Sequence, residues 1–402
     1  MYWRLLRRNR DFRLLYFGTL ISLGGDWFLT VALLDLVLQL TGSATLASLM
    51  LLCQSLPVFI FTPIAGRVVD RVDRRKLMIV VDGIRTLACL LPLLARTPAL
   101  LPFAYLGVIV ISIGSAYFEP ASQAALPNVV GGNELAPANI LMGSTWGTML
   151  AVGAAIGGAV TMRFGRDVSF IVDAVSFLAS AWILWRIRTP FSESVGAGAL
   201  AGPAAGEAPA ATLIPYIRSH PRVLALLVSK GGYGMGAGSV ALLGVFGREV
   251  FKAGAFGIGL LFAARGLGAL LGPFAVRKLS DRDETQYRFI SVSVLLFGLG
   301  YMGLGLSRTL AIGCAAVFLA HLGGGAQWLT STYGLQREVP DFIRGRVFAA
   351  DWGFVTLAIG ISSLAAGLLS DHLGATTATI GIASLSILWA IFWGAWTWKL
   401  WR

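Results

Sequence analysis

The chain reads as a succession of apolar runs of about 18 to 25 residues, separated by short polar stretches, and each run is long enough to cross roughly 30 Å of hydrocarbon as a helix. Twelve runs are placed at 14–39, 45–69, 77–95, 100–125, 138–162, 168–187, 223–247, 256–280, 287–306, 310–335, 346–370 and 376–399. Between the sixth and seventh lies "TPFSESVGAGALAGPAAGEAPAATLIPYIRSHP", where the periodicity breaks down and Ala, Gly and Pro dominate. Such a composition marks a linker. The pattern predicts an all-α membrane protein with twelve transmembrane helices in two pseudo-symmetric six-helix halves, residues 1–188 and 222–402, joined by a linker at 189–221. A repeat supports the halves. "RVVDRVDRRK" from Arg67, after the second run, is echoed by "KLSDRDETQYR" from Lys278, after the eighth, and a shift of 211 residues lays Arg67, Asp70 and Arg71 on Lys278, Asp281 and Arg282.

Composition agrees: 56% of residues are hydrophobic, only 13% are charged, and mean hydropathy is +0.75, whereas soluble domains carry about 25% charged residues. The net charge of +12 raises the question of a nucleic-acid or acidic-lipid partner. Topology accounts for it instead: with the N-terminus inside, most of the 32 Lys and Arg fall in cytoplasmic segments, as the positive-inside rule expects. Both termini are expected in the cytoplasm and no nucleic acid is implied. The basic start "MYWRLLRRNRDFRLLYFGTL" leads into an apolar run too long for a signal peptide, one that contains Asp26 and lacks a small-residue cleavage site. It is expected to be an uncleaved first span. Cys53, Cys89 and Cys314 lie inside apolar runs at unrelated spacings, which predicts buried small side chains rather than disulfides or metal ligands. No phosphate-binding loop, zinc spacing or nucleophile motif appears, and "GMGAGS" from Gly234 lacks the Lys-Ser/Thr ending of an ATP-binding loop. An enzyme, a cofactor and a resident metal are not expected. In the fifth run, Gly143 and Gly147 are four apart, as are Gly153 and Gly157, so each pair shares a helix face suited to close packing.

"GRVVDRVDRRK", from Gly66 to Lys76, resembles the loop motif of the major facilitator superfamily. More narrowly, "FEPASQAALPNVVGGNELAPANIL", "FIVDAVSFLASA", "YIRSHPRVLALL" and "EVPDFIRGRVFA" resemble the branch that includes bacterial macrolide efflux and enterobactin export proteins. The resemblance covers nearly the whole chain. It implies a cytoplasmic gate in which Asp70 pairs with the motif's own Arg71, Arg74 and Arg75 and with the start of the eleventh span, where "DFIRGRVFAADWG" supplies Arg344, Arg346 and Asp351. Asp82 and Arg85, three apart on the third span, are expected to join that gate or to pair with each other.

An ionised side chain deep in a membrane is costly and is a functional candidate by default. Asp26 lies near the middle of the first span, Arg265 of the eighth and His321 of the tenth; Glu119, Lys230 and Asp173 are shallower. Asp26 is expected to be the ion-coupling or cation-binding group, with Arg265 or His321 tuning it. Asp35 is nine residues further, about 900° around and roughly 13.5 Å along a helix, so it points the opposite way and belongs to an outer rim. Trp27, Trp146 and Gln54 are further candidates for the wall of a substrate cavity, which is typically apolar with a few polar groups. The family departure is the fourth span: many proton-coupled drug antiporters carry an arginine there, and here its only charge is Glu119. The expectation is a monomeric secondary transporter of the bacterial inner membrane that exports a drug, macrolide or siderophore by alternating access, with H+ as coupling ion and the lipid bilayer as its other partner. Lipid or lysolipid transport, divalent-metal export and a non-transporting sensor on the same fold are the alternatives.

Overall fold

A computed structural model describes residues 2–69, 71–131, 134–191, 213–276 and 283–401. Among these, the chain is helical throughout. The short α1 (Tyr2–Arg8) precedes α2 (Arg10–Thr41), α3 (Ala44–Val69), α4 (Arg74–Ala88), α5 (Leu101–Val129), α6 (Leu135–Phe164) and α7 (Arg166–Trp185). After the linker region come α8 (Leu213–Ser219), α9 (Pro221–Gly236), α10 (Gly238–Ala241), α11 (Leu243–Val245), α12 (Gly254–Val276), α13 (Asp283–Leu306), α14 (Leu310–Glu338), α15 (Asp341–Leu373) and α16 (Ala375–Thr397). Eleven helices among the described residues are long and apolar enough to cross a membrane.

The seventh span is the twelfth, and it is not one helix. α9, α10 and α11 succeed each other and end in a π-helical turn, Phe246–Val250. Its sequence, "KGGYGMGAGS" from Lys230, explains the interruption: each glycine weakens a helix by about 1 kcal/mol relative to alanine. The same glycines let neighbours approach. A Cβ on Gly231 would lie 2.8 Å from the Trp389 ring, and one on Gly236 would lie 2.7 Å from Phe297. Ser362 on α15 donates to Met235 O and accepts from Gly238 N, so part of the freed backbone is satisfied from a neighbouring helix.

Helix ends are set locally. Asn9 caps α2 by accepting from Phe12 N at 2.9 Å, and α2 stops at Gly42 in the left-handed conformation (φ 62°). Asp73, one of the motif acids, caps α4 by accepting from Lys76 N at 3.0 Å. Buried small and apolar residues line the helix contacts, while Leu87, Ile171, Val175 and Leu178 are exposed. That inversion suits a multi-pass protein whose outer surface meets lipid.

The chain divides into two compact units, Met1–Gly196 with Leu243–Ala263, and Ala197–Leu242 with Ala264–Arg402. The first carries a core around Phe12, Leu15, Met78, Phe118 and Leu184. The second has its own around Leu226, Tyr287, Ile290, Val347 and Trp393. Leu243–Ala263, expected in the second half, groups with the first unit, because Gly158 on α6 meets Gly259 on α12 so closely that a Cβ would lie 2.9 Å from its Cα. Much of the 189–221 linker and the second motif loop at Lys278, Asp281 and Arg282 lie outside the described residues.

Candidate functional site

In the first unit, four helices converge on Arg85. Its stem crosses Gly114 of α5, where a Cβ would stand 2.8 Å from Arg85 Cγ. The absent side chain is the space the arginine uses. The guanidinium donates to Asp26 Oδ2 (3.3 Å) and Ser22 Oγ (3.2 Å) on α2, to Asp82 Oδ1 (3.3 Å) on its own helix, and to Ser115 Oγ (2.7 Å) on α5. The Phe177 ring of α7 covers it, with the guanidinium carbon 4.1 Å from the ring centroid. Beside it Asp173, fully buried, accepts from Cys89 Sγ at 3.0 Å and Ser176 Oγ at 3.1 Å. Gly25 gives Asp173 and Ser176 their room, since a Cβ there would overlap both.

The charge count is uneven. Asp26, Asp82 and Asp173 all interact with Arg85, and Glu119, one turn along α5 from Ser115, is within electrostatic reach of Arg85 and Asp26. Asp82 Oδ2 and Arg85 Nε are buried without a hydrogen-bond partner. Arg85 and Asp82 are fully enclosed, whereas the Asp26 side chain keeps 20% of its surface open. Of the three aspartates, Asp26 is therefore the one that a proton or solute can reach, and Glu119 is likewise half-buried. Trp27 follows it and forms an aromatic wall, with ring centroids 6.3 Å from Trp146 and 5.9 Å from Phe262. Gln54 Nε2 donates to Thr30 Oγ1 at 2.7 Å, which in turn donates to Asp26 O.

Several expected residues take other places. Asp82 and Arg85 do pair, but Arg85 lies eleven residues into α4, roughly 16 Å from its start, so the pair sits deep among the helices beside Asp26. Arg265 and His321, the expected partners of Asp26, belong to the second unit. There His321 Nε2 and the Tyr301 hydroxyl share a hydrogen bond of 2.7 Å, enclosed by Phe297 and Tyr233. Asp351, expected at the gate, is instead the buried partner of Lys230, whose ammonium also donates to Thr332 Oγ1 (3.3 Å) and lies 4.5 Å from the Trp328 ring centroid. Trp352 closes on Trp328 at 5.4 Å.

Of the motif loop, Asp70 and the Arg344 side chain lie outside the described residues, and Arg346 is half-buried near the start of α15. Arg71 is exposed; Arg74 donates to Ala124 O (2.9 Å) and Phe191 O (3.1 Å), and Arg75 donates to Ile187 O. Asp35 forms an ion pair with Arg248 on the π-helical turn. Arg248 was missed, and its signal was available: it is the first charge after the seventh apolar run. Ser22, Ser115 and Phe177 carry no comparable signal. Among the described residues no group of three or more His, Cys, Asp or Glu is placed to hold a metal ion.

The described helices form bundles of membrane-crossing length with buried ion pairs, and solved transporter structures share this fold. A bacterial homologue of the human lysosomal transporter Spinster, inward-facing and unoccupied, superposes with a TM-score of 0.75 at 16% identity over 96% of both chains. A bacterial homologue of the iron transporter ferroportin gives 0.73 at 16% identity, covering 96% of this chain and 99% of that one. At such identities the likeness shows the major facilitator fold alone.

The chain belongs to the transmembrane secretion effector family, whose profile matches residues 3–397. This is a family of membrane transporters, not of enzymes. The multidrug efflux pump Tap of Mycolicibacterium fortuitum is 28% identical over 379 residues, covering 90% of this chain and 89% of Tap. The staphyloferrin A transporter of Staphylococcus aureus is 20% identical over 90% of this chain and 91% of that protein. The candidate bacilysin exporter BacE of Bacillus subtilis is 29% identical over 178 residues, so the match spans less than half (44%) of that relative's length.

Proposed function

We propose that the protein is a proton-driven secondary exporter of an amphipathic small molecule of drug, macrolide or siderophore type, working by alternating access as a monomer in the bacterial inner membrane with both termini cytoplasmic. The full-length relatives named as a multidrug pump and a siderophore transporter support the export reading. The observation that carries the coupling is the imbalance of one arginine against three membrane-buried aspartates. Uncompensated charge in that setting costs several kcal/mol. A proton on Asp26 removes one negative charge while Arg85 keeps Asp82, Ser22 and Ser115 as partners; loss of the proton restores the Asp26 pair and tightens α2 against α4. Substrate slides along the Trp27–Trp146 wall, next to the acid whose protonation its own positive charge would replace. Asp35 and Arg248 act at the opposite, outer part of α2 as a rim contact.

The test is transport by purified protein in liposomes under an imposed pH gradient, with a panel of fluorescent cationic dyes and siderophores. Wild-type protein should move at least one of them faster with the gradient than without it, and Asp26→Asn should remove the gradient dependence and weaken thermal stabilisation by the cationic dyes. Undiminished pH-driven transport by Asp26→Asn would overturn the assignment.

A further inference from the structure

The basic residues as a group follow topology, yet four of them converge on one cavity. Arg10 at the start of α2, Arg75 at the start of α4, and Arg186 and Arg188 just past the end of α7 line a cavity of about 520 Å³ together with Trp185 and Ile187. That volume falls within the roughly 300–1,000 Å³ usual for small-molecule sites. No acid lines it.

The turn that bears two of these arginines is held in place from below. Asp11 Oδ2 accepts from Thr189 N (2.8 Å), Thr189 Oγ1 (2.6 Å) and Arg188 N (3.2 Å), and Arg75 donates to Ile187 O. Asp11 is thereby largely occupied, and it lies 3.7 Å from Arg10. Even with Asp11 counted, the cavity keeps an excess of three positive charges. The arginine heads remain available, since Arg10, Arg186 and Arg188 are all exposed.

The cavity also stands at a defined height. Trp182 and Trp185, one turn apart on α7 and 52% and 68% exposed, occupy the last turn before it, and Arg186 stacks over the Trp182 ring at 3.8 Å. Exposed tryptophans at the end of a spanning helix sit at headgroup level. An arginine pocket there faces lipid phosphates, with apolar helix surface below it for the acyl chains.

We propose that this cavity is a binding site for an anionic phospholipid, whose phosphate and headgroup are taken by Arg10, Arg186 and Arg188 while Arg75 fixes the floor through Ile187. Arginine matches phosphate in a bidentate fork that lysine cannot reproduce. Basic pockets between membrane helices recognise anionic headgroups in this way. The site does not rest on the proton-coupling reading, because none of its residues belongs to the Asp26–Arg85 cluster.

The full chain, purified in phosphatidylcholine mixed micelles, is titrated with phosphatidylglycerol, with further phosphatidylcholine, and with free sn-glycerol 3-phosphate. Bound lipid is counted by native mass spectrometry and apparent stability by thermal unfolding. Phosphatidylglycerol should be retained and should stabilise the protein, and neither of the other probes should. Each arginine removed should weaken retention about fivefold, so Arg10→Gln/Arg186→Gln/Arg188→Gln should weaken it on the order of a hundredfold. Arg4→Gln/Arg7→Gln/Arg71→Gln removes the same charge from exposed positions outside the cavity and should weaken it far less. The single variants Arg186→Gln and Arg188→Gln carry the test if the triple variant does not fold. Equal loss in the two triple variants would reduce the effect to diffuse surface charge, stabilisation by glycerol phosphate would make the ligand a soluble phosphate, and unchanged retention in the single variants would remove the arginines from the site; each of these overturns the proposal.

Discussion

Arg85→Met is the perturbation that most sharply tests the buried cluster. The side chain is 3% exposed, is covered by Phe177, and makes four polar contacts, two of them to carboxylates. Methionine fills much of the stem's volume beside Gly114 and keeps the contact with Phe177, so packing loss is limited. What goes is the cation. Removing one partner of a buried ion pair costs about 3–5 kcal/mol, because the other charge stays behind, and here Asp82, fully enclosed, stays behind. Asp26→Asn is a different case. It gives up one charge-assisted hydrogen bond of about 1.5–3 kcal/mol but also removes one of the surplus negative charges, so its net cost is well below that of Arg85→Met. The two changes should not add. In an Asp26→Asn background, Arg85→Met should cost about 0.5–3 kcal/mol less than in the wild-type chain, the range found for groups in one network. The assay is a thermal or denaturant unfolding cycle on the four proteins in one detergent. If Arg85→Met costs the same in both backgrounds, or if Asp26→Asn is as destabilising as Arg85→Met, the charge-imbalance argument is refuted.

Other expectations follow from neighbouring parts of the structure. Lys230→Met should destabilise the second unit by about 3–5 kcal/mol by stranding Asp351, while Lys230→Met/Asp351→Leu should recover most of that loss; unfolding measurements that find the double variant no better than the single one would contradict a mutually compensating pair. Asp35→Asn should cost no more than about 1 kcal/mol, since the Arg248 side chain is partly exposed, but it should raise several-fold the labelling rate of a cysteine placed at Leu38 in a cysteine-free background, and an unchanged rate would remove Asp35 from the rim. Gly25→Ala should destabilise by about 1–3 kcal/mol through overlap with Ser176 and Asp173. Gly143→Ala, with nothing within 4 Å of its Cβ position, should be neutral or stabilise by about 0.5–1 kcal/mol; the reverse order would show the close approach on α2 to be misjudged.

How much was legible varies from residue to residue. Asp26 announced itself by depth alone, because an acid in an apolar run is conspicuous wherever the helices go. Its partner did not. Arg85 was visible as a charge three residues from Asp82, and spacing on one helix suggested only that local pair; the contact with Asp26 joins positions 59 apart and depends on Gly114 and Gly25 opening the space between α5, α4, α2 and α7. Those glycines looked like the many others in the chain. In the same way a Cβ added at Gly153 or Gly157 would lie 3.2 Å from Trp27 Cβ or 2.9 Å from Phe28 Cα on α2, while one added at Gly143 would have nothing within 4 Å, a difference that a helix-face pattern cannot express.

The sequence by itself determined the class of protein: span count, span length and loop charge all follow from the cost of placing backbone and charge in hydrocarbon, and that cost acts residue by residue along the chain. The seventh span was placed at 223–247 like the others, and only the fold shows a helix broken into pieces and supported by Ser362. Which acid meets which base was decided by tertiary structure alone. Buried pairing energy depends on distances of about 3 Å between helices far apart in sequence, and those distances are set by which side chains are missing at the crossings. Hence Asp26 belongs with Arg85, Asp351 with Lys230 and Asp35 with Arg248, three pairings that hydropathy, charge and spacing left open.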